Sequence, residues 1–184
     1  MKIKLGFAKK SSVIENPHIT IEFNGQLIKT DIELDDCGCA DDLSAKLQYI
    51  EIDAPIDDST DAEHWLIIYG LNLFDKYKTN GDFGIQLRYI EINNINLDYF
   101  SLKETMAYNP IPDESYIDFY LKKHDKLHEL EIIDGKKIHV TRGNYANYIN
   151  LEHGRIEFKF KTPIYFWLLE NNFGKIPEAL ILDF

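Results

Sequence analysis

Hydrophobic and polar residues alternate with a period of two along much of this chain. Residues 18–23 read His-Ile-Thr-Ile-Glu-Phe, Asn24-Gly25 follows, and then Ile28, Thr30, Ile32 and Leu34 alternate with Lys29, Asp31 and Glu33. Two such runs around Asn-Gly predict a β-hairpin, because both turn residues accept the left-handed backbone that a tight turn between twisted strands requires. Further on, Arg155, Glu157, Lys159 and Lys161 alternate with Ile156, Phe158 and Phe160, the pattern of an antiparallel strand with one wet and one buried face. The inward set is therefore expected to include Ile19, Ile21, Phe23, Ile156, Phe158 and Phe160.

The middle of the chain is also strand-like, with slips of phase. Leu47 and Tyr49 share one parity and Ile50 and Ile52 take the other; Ile85, Leu87 and Tyr89 likewise give way to Ile90 and Ile92. Either a bulge re-aims the side chains or both faces are covered. Turn residues fall between the runs at 57–60, 79–82 and Asn93-Asn94, and Asp134-Gly135 divides Leu130–Ile133 from Lys137–Val140 as a second hairpin. Residues 101–128 read as a long excursion or arm, since Asn109-Pro110-Ile111-Pro112 interrupts a ladder and 114–121 suits a short helix. Residues 163–170 fit strand or helix equally, with Pro163 suited to a first helical turn and Gly174 to a stop. The expectation is one domain over 1–184: an all-β, antiparallel, jelly-roll-like β-sandwich with at most one or two short helices.

Composition agrees, with 11 Phe and 11 Tyr among 184 residues, a bias toward residues that fit a pleated surface. Lys and Arg number 20 against 31 Asp and Glu, a formal charge of −11, which disfavours a surface that tracks nucleic-acid phosphates. No apolar run approaches the roughly 20 residues of a membrane span, and Met1-Lys2-Ile3-Lys4 opens no signal-peptide pattern. Neither nucleic acid nor membrane is an expected partner.

No residue pattern names a reaction. Cys37-Gly38-Cys39 is spaced too tightly for an ordinary disulfide and lacks two further ligands for a soft metal, so a reduced loop is the plainer reading. None of His18, His64, His124, His128, His139 and His153 sits in a nucleophile-partner motif. Acids at Asp35-Asp36, Asp41-Asp42, Asp53, Asp57-Asp58 and Asp61 are the type that binds calcium, but no D-x-[DN]-x-[DN]-G loop followed by Glu is present. The chain is expected to be non-enzymatic with no obligatory cofactor, calcium being the one cation its loops would suit. For a sugar platform the candidates are Tyr77, Tyr99, Tyr108 and Tyr116, whereas the apolar neighbours of Trp65 and Trp167 predict core packing for both. At the end of the chain Leu180, Leu182 and Phe184 form an apolar segment suited to contact with a partner.

Residues 63–72 (Glu-His-Trp-Leu-Ile-Ile-Tyr-Gly-Leu-Asn) and 84–98, where a long strand ends Ile90-Glu91-Ile92-Asn93-Asn94-Ile95, resemble jelly-roll modules related to calcium-dependent xylan-binding carbohydrate-binding modules. Together with 18–34 and 150–170 they also resemble small virion-associated proteins of tailed bacteriophages. The phage resemblance implies a structural protein of the virion, at the capsid exterior, neck or tail, assembled in the host cytoplasm. Its partners would be other virion proteins or further copies of itself, reached through the 103–126 excursion or the tail 176–184. The carbohydrate-module resemblance implies instead a domain that binds host surface polysaccharide, with calcium as the ion such modules use.

Overall fold

The computed structural model describes residues 1–10, 16–40, 42–73, 84–97, 104–110, 128–142, 147–150 and 152–171. Among these residues twelve strands follow one another: β1 (Lys2–Lys10), β2 (His18–Phe23), β3 (Gln26–Glu33), β4 (Gln48–Asp53), β5 (Ala62–Leu71), β6 (Gly84–Ile92), β7 (Ile95–Asn96), β8 (Thr105–Pro110), β9 (His128–Ile133), β10 (Lys136–Arg142), β11 (Tyr148–Ile149) and β12 (Arg155–Thr162). A helix, α1 (Ile164–Asn171), closes the described chain. The smaller sheet runs β11-β6-β1-β4 with β7 beside β6, and the larger runs β3-β2-β5-β12-β8-β10-β9. Every strand pair in both ladders is antiparallel, so the chain is the all-β sandwich that its alternation predicts.

Both foreseen hairpins form. Asn24 and Gly25 take φ of 49° and 80°, and Asp134 and Gly135 take 52° and 73°, the left-handed pairs of two-residue turns. All six residues of the expected inward set are buried between the sheets, with Ile3, Leu5, Phe7, Ile52, Ile85 and Ile92 facing them from the smaller sheet. The phase slip in β6 is a bulge: Gly6 pairs with Tyr89 and Phe7 with Leu87, which leaves Arg88 unpaired. Leu87 and Ile90 can then both point inward, while Arg88 reaches out to donate to the carbonyls of Ala40 and Asp42.

At Gly6 the backbone is approached closely from outside. A Cβ there would lie 2.8 Å from the Cβ of Tyr89 and 3.0 Å from Cε1 of Tyr49, the two residues that flank it in register. Their rings meet edge to face at 5.4 Å and roof the smaller sheet.

One expectation is corrected. The excursion assigned to 101–128 contains β8, an internal strand of the larger sheet paired with β12 on one side and β10 on the other. Asn109-Pro110 does not break this ladder because Pro110 is the last strand residue, opposite Ile138, where a missing N–H costs little. Residues 111–127 lie outside the described residues, as does the short helix foreseen at 114–121. The ambiguous run after Pro163 is a helix, with Ile164, Trp167 and Leu168 buried against the sandwich.

Phe158 has no exposed surface and lies 5.8 Å from Phe160 and 6.2 Å from Trp167, centroid to centroid. Truncation of Phe158 to Ala is expected to cost about 3–5 kcal/mol of unfolding free energy. Gly6→Ala should cost roughly 1–3 kcal/mol, because the new methyl meets a strand-anchored Cβ. Denaturant melts of the two variants against the parent protein measure both.

Candidate functional site

The outward rows of β5 and β12 carry an ordered set of aromatic and charged side chains at the centre of the larger sheet. In register, Lys161 pairs with Glu63, Lys159 with Trp65, Glu157 with Ile67 and Arg155 with Tyr69. Since side chains alternate across a strand, these eight residues share the face opposite the core. Lys159 Nζ stands 4.4 Å from the centre of the Trp65 ring and 2.9 Å from Glu63 Oε1. Arg155 lies 4.6 Å above the Tyr108 ring and pairs with Glu157 at 2.9 Å. Tyr69 donates its hydroxyl to Glu22, and burial, then this carboxylate, pushes its phenol above the ordinary range.

At the Lys161 end the face runs into a groove between the sheet and α1. Two depressions of about 250 and 340 Å³ share Lys161, Trp167 and Glu170. Glu63, Glu104, Lys159 and Asn171 line one, and Ser59, Asp61, Pro163 and Phe166 line the other. Phe166 is 61% exposed, whereas Trp167 is buried against Phe158 and Phe160. Carboxylates, ammonium groups and an open aromatic ring are thus gathered along one edge.

Polar side chains hold this edge from within. Asp58 accepts from the backbone N–H of Ile164 at 2.8 Å and, with its other oxygen, from Asn93 at 3.1 Å. It caps α1 from a loop more than a hundred residues earlier and ties it to the turn after β6. His64 is inward on β5, stacked at 5.7 Å on Phe23 and 5.3 Å from Phe160. Its Nε2 lies 3.0 Å from Thr162 Oγ1 and its Nδ1 lies 3.0 Å from Asn24 Nδ2. The Thr162 hydroxyl donates to the carbonyl of Thr60, so it must accept from His64. The imidazole is therefore neutral and protonated at Nε2, with Nδ1 accepting from the Asn24 amide. Burial holds the His64 pKa below its ordinary value, the charge of Asp58 opposing.

Of the residues foreseen as contacts, Tyr108 is the one that lies among the described residues. Tyr108 is on β8, 9% exposed beneath Arg155, rather than in an open loop. Tyr77, Tyr99, Tyr116, Leu180, Leu182 and Phe184 lie outside the described residues. Trp167 packs in the core as expected, but Trp65 does not. It is half-buried on the outer face while His64, Leu66 and Ile68 point inward. Because Trp65-Leu66-Ile67-Ile68 is apolar at every position, its alternation could not reveal which parity faces out. The signal lay in the partner strand, where Lys159 and Lys161 mark the wet face.

Three of the acids foreseen as cation ligands are engaged locally. Asp42 and Asp57 accept from Ser44 and Ser59, which lowers both carboxyl pKa values, and Asp36 pairs with Lys46. Among the described residues no group of three His, Cys, Asp or Glu side chains converges on a cation position. Cys37 and Cys39 are unbridged, and burial raises the Cys37 thiol pKa.

No family model matches the chain, and no curated protein matches it. Among solved structures the chain is similar to "vCBM60 in complex with galactobiose", with 10% identity and a TM-score of 0.43 over 86% of this chain and 97% of that one.

The Asp58 cap gives a direct check on the groove wall. Asp58→Ala is expected to lower stability by about 1 kcal/mol, as loss of a helix cap does, and Asp58→Asn to recover part of it. Urea midpoints read the effect, and faster amide exchange at Ile164 would localise it to the start of α1.

Proposed function

We propose that this chain is a non-catalytic saccharide-binding domain whose binding surface is the outward β5–β12 face and the groove beside α1. One observation carries this reading: the half-buried Trp65 and open Phe166 rings stand among Glu63, Glu104, Glu170, Lys159 and Lys161 along one edge. Sugars present C–H faces that pack on aromatic rings, and hydroxyls that donate to carboxylates and accept from ammonium groups. A groove of a few hundred Å³ suits one or two sugar rings, at the small end of ligand clefts. The mixture of both charge signs favours a neutral polysaccharide over a highly charged one. Lys159 lies on the Trp65 ring in the free protein, and its long stem lets it swing aside to hydrogen-bond a stacked sugar.

A second reading has a separate support. Leu130 and Ile132 are 38% and 76% exposed on β9, an edge strand of the larger sheet among the described residues, and such an edge suits contact between protein chains. That is the surface a virion structural component would use, with other virion proteins or further copies as its partners.

Titration against neutral oligosaccharides on a glycan array, followed by calorimetry on the hits, tests the first reading. Trp65→Ala and Glu170→Gln should each weaken binding by about tenfold or more, while Ile132→Ser leaves it unchanged. A saccharide that binds should also raise the melting temperature. If no saccharide binds and Ile132→Ser abolishes self-association or particle incorporation, the second reading replaces the first.

A further inference from the structure

The outward Trp65 is held by an inward neighbour that can change its charge. Asn24, in the left-handed turn between β2 and β3, uses its amide in two directions. Its Oδ1 accepts from the backbone N–H of Trp65 at 2.9 Å, and its Nδ2 donates to His64 Nδ1 at 3.0 Å. Its own N–H donates to the carbonyl of Trp65 at 2.9 Å. On the other side of the ring, His64 Nε2 donates to Thr162, the residue before Pro163 and α1. One buried imidazole thus fastens the backbone behind Trp65 on one lip of the groove and the approach to α1 on the other.

We propose that His64 is a proton-sensitive latch that fixes Trp65 at neutral pH and releases it on acidification. An imidazolium has a donor at both nitrogens. Its Nδ1–H would face the Asn24 NH₂, donor against donor. If the Asn24 amide turns over, Oδ1 can accept from His64 but no longer from Trp65; if it stays, the His64 proton is unpaired in a buried site. Either way one hydrogen bond at the Trp65 backbone or the His64 ring is lost. Phe23 from β2, Phe160 and Thr162 from β12, and Asn24 from the turn bring no charge to the ring, and among the described residues the charged group acting on it is Asp58, whose carboxylate favours the imidazolium. Burial outweighs Asp58 and depresses the folded-state pKa. His64 therefore contributes stability above its unfolded pKa of about 6.5, and this is lost as the pH falls through the lower folded value. Loosening of Trp65 tracks that step. The consequence for ligand affinity rests on the saccharide-binding reading, whereas the latch itself does not.

Two-dimensional NMR of the ¹⁵N-labelled chain between about pH 7.5 and 4.5 tests it. The His64 ring should appear as the Nε2–H form at neutral pH. As it protonates, the Trp65 amide, corrected for intrinsic exchange, should exchange about fivefold faster or more, with the Ile68 amide unchanged. In Asn24→Asp a carboxylate can accept from both the Trp65 N–H and a protonated His64. The His64 pKa should therefore rise, and Trp65 should stay protected through the acid range. Unchanged Trp65 protection in the parent protein while His64 protonates overturns the latch, as does identical acid release in parent and Asn24→Asp. Saccharide affinity over the same range separates the two readings. A fall that follows His64 supports both. Trp65 release with no saccharide bound at any pH removes the saccharide reading and leaves the latch. Trp65 release with pH-independent affinity overturns the latch as a control on binding.

Discussion

The register between β5 and β12 is the constraint on which the rest of this structure depends. It sets Phe160 opposite His64 and Phe158 opposite Leu66 on the inner side, and Lys159 opposite Trp65 and Lys161 opposite Glu63 on the outer side. A slip of one residue would turn every one of these over, burying lysines and exposing phenylalanines. Core and candidate binding surface are therefore two faces of one pairing, and any change that disturbs the packing of Phe158 or Phe160 acts on Trp65 as well.

At the α1 end of that pairing the sandwich is held by polar groups as much as by apolar ones. Asp58 caps the helix and reaches the turn after β6. His64, Asn24 and Thr162 form a chain of hydrogen bonds through the edge of the core. Each link is worth little by itself, but a buried donor or acceptor left without its partner is costly. The arrangement therefore fixes one conformation of the groove rather than adding much to total stability. Among the described residues Asp36, Asp42 and Asp57 serve as hydrogen-bond acceptors or ion-pair partners within the loops that carry them, whereas Asp58 is committed to distant partners, the N–H of Ile164 and the amide of Asn93.

Where polar and apolar residues alternate strictly, the sequence alone determined the structure. Ile19, Ile21 and Phe23, and Ile156, Phe158 and Phe160, are interrupted by charged or polar neighbours that water must reach, and all six are inward. Asn24-Gly25 and Asp134-Gly135 specify their turns because only such residues accept a positive φ at low cost. Even the slip in β6 was legible as a bulge or a change of face, although not that Arg88 would use it to reach the carbonyls of Ala40 and Asp42. Tertiary structure decided the cases in which local information is symmetric. An all-apolar stretch such as 65–68 has no preferred face until its partner strand is known, so the outward position of Trp65 followed from Lys159 across the ladder. Residues 105–110 lack strong alternation and end in proline, and they became a strand because β12 and β10 offered unpaired backbone groups on both sides. Residues 164–171 suit helix or strand by composition, and the choice fell to helix where a distant Asp58 could satisfy its first free N–H. In each case the deciding partner is far away in sequence, and only folding brings it within hydrogen-bond reach.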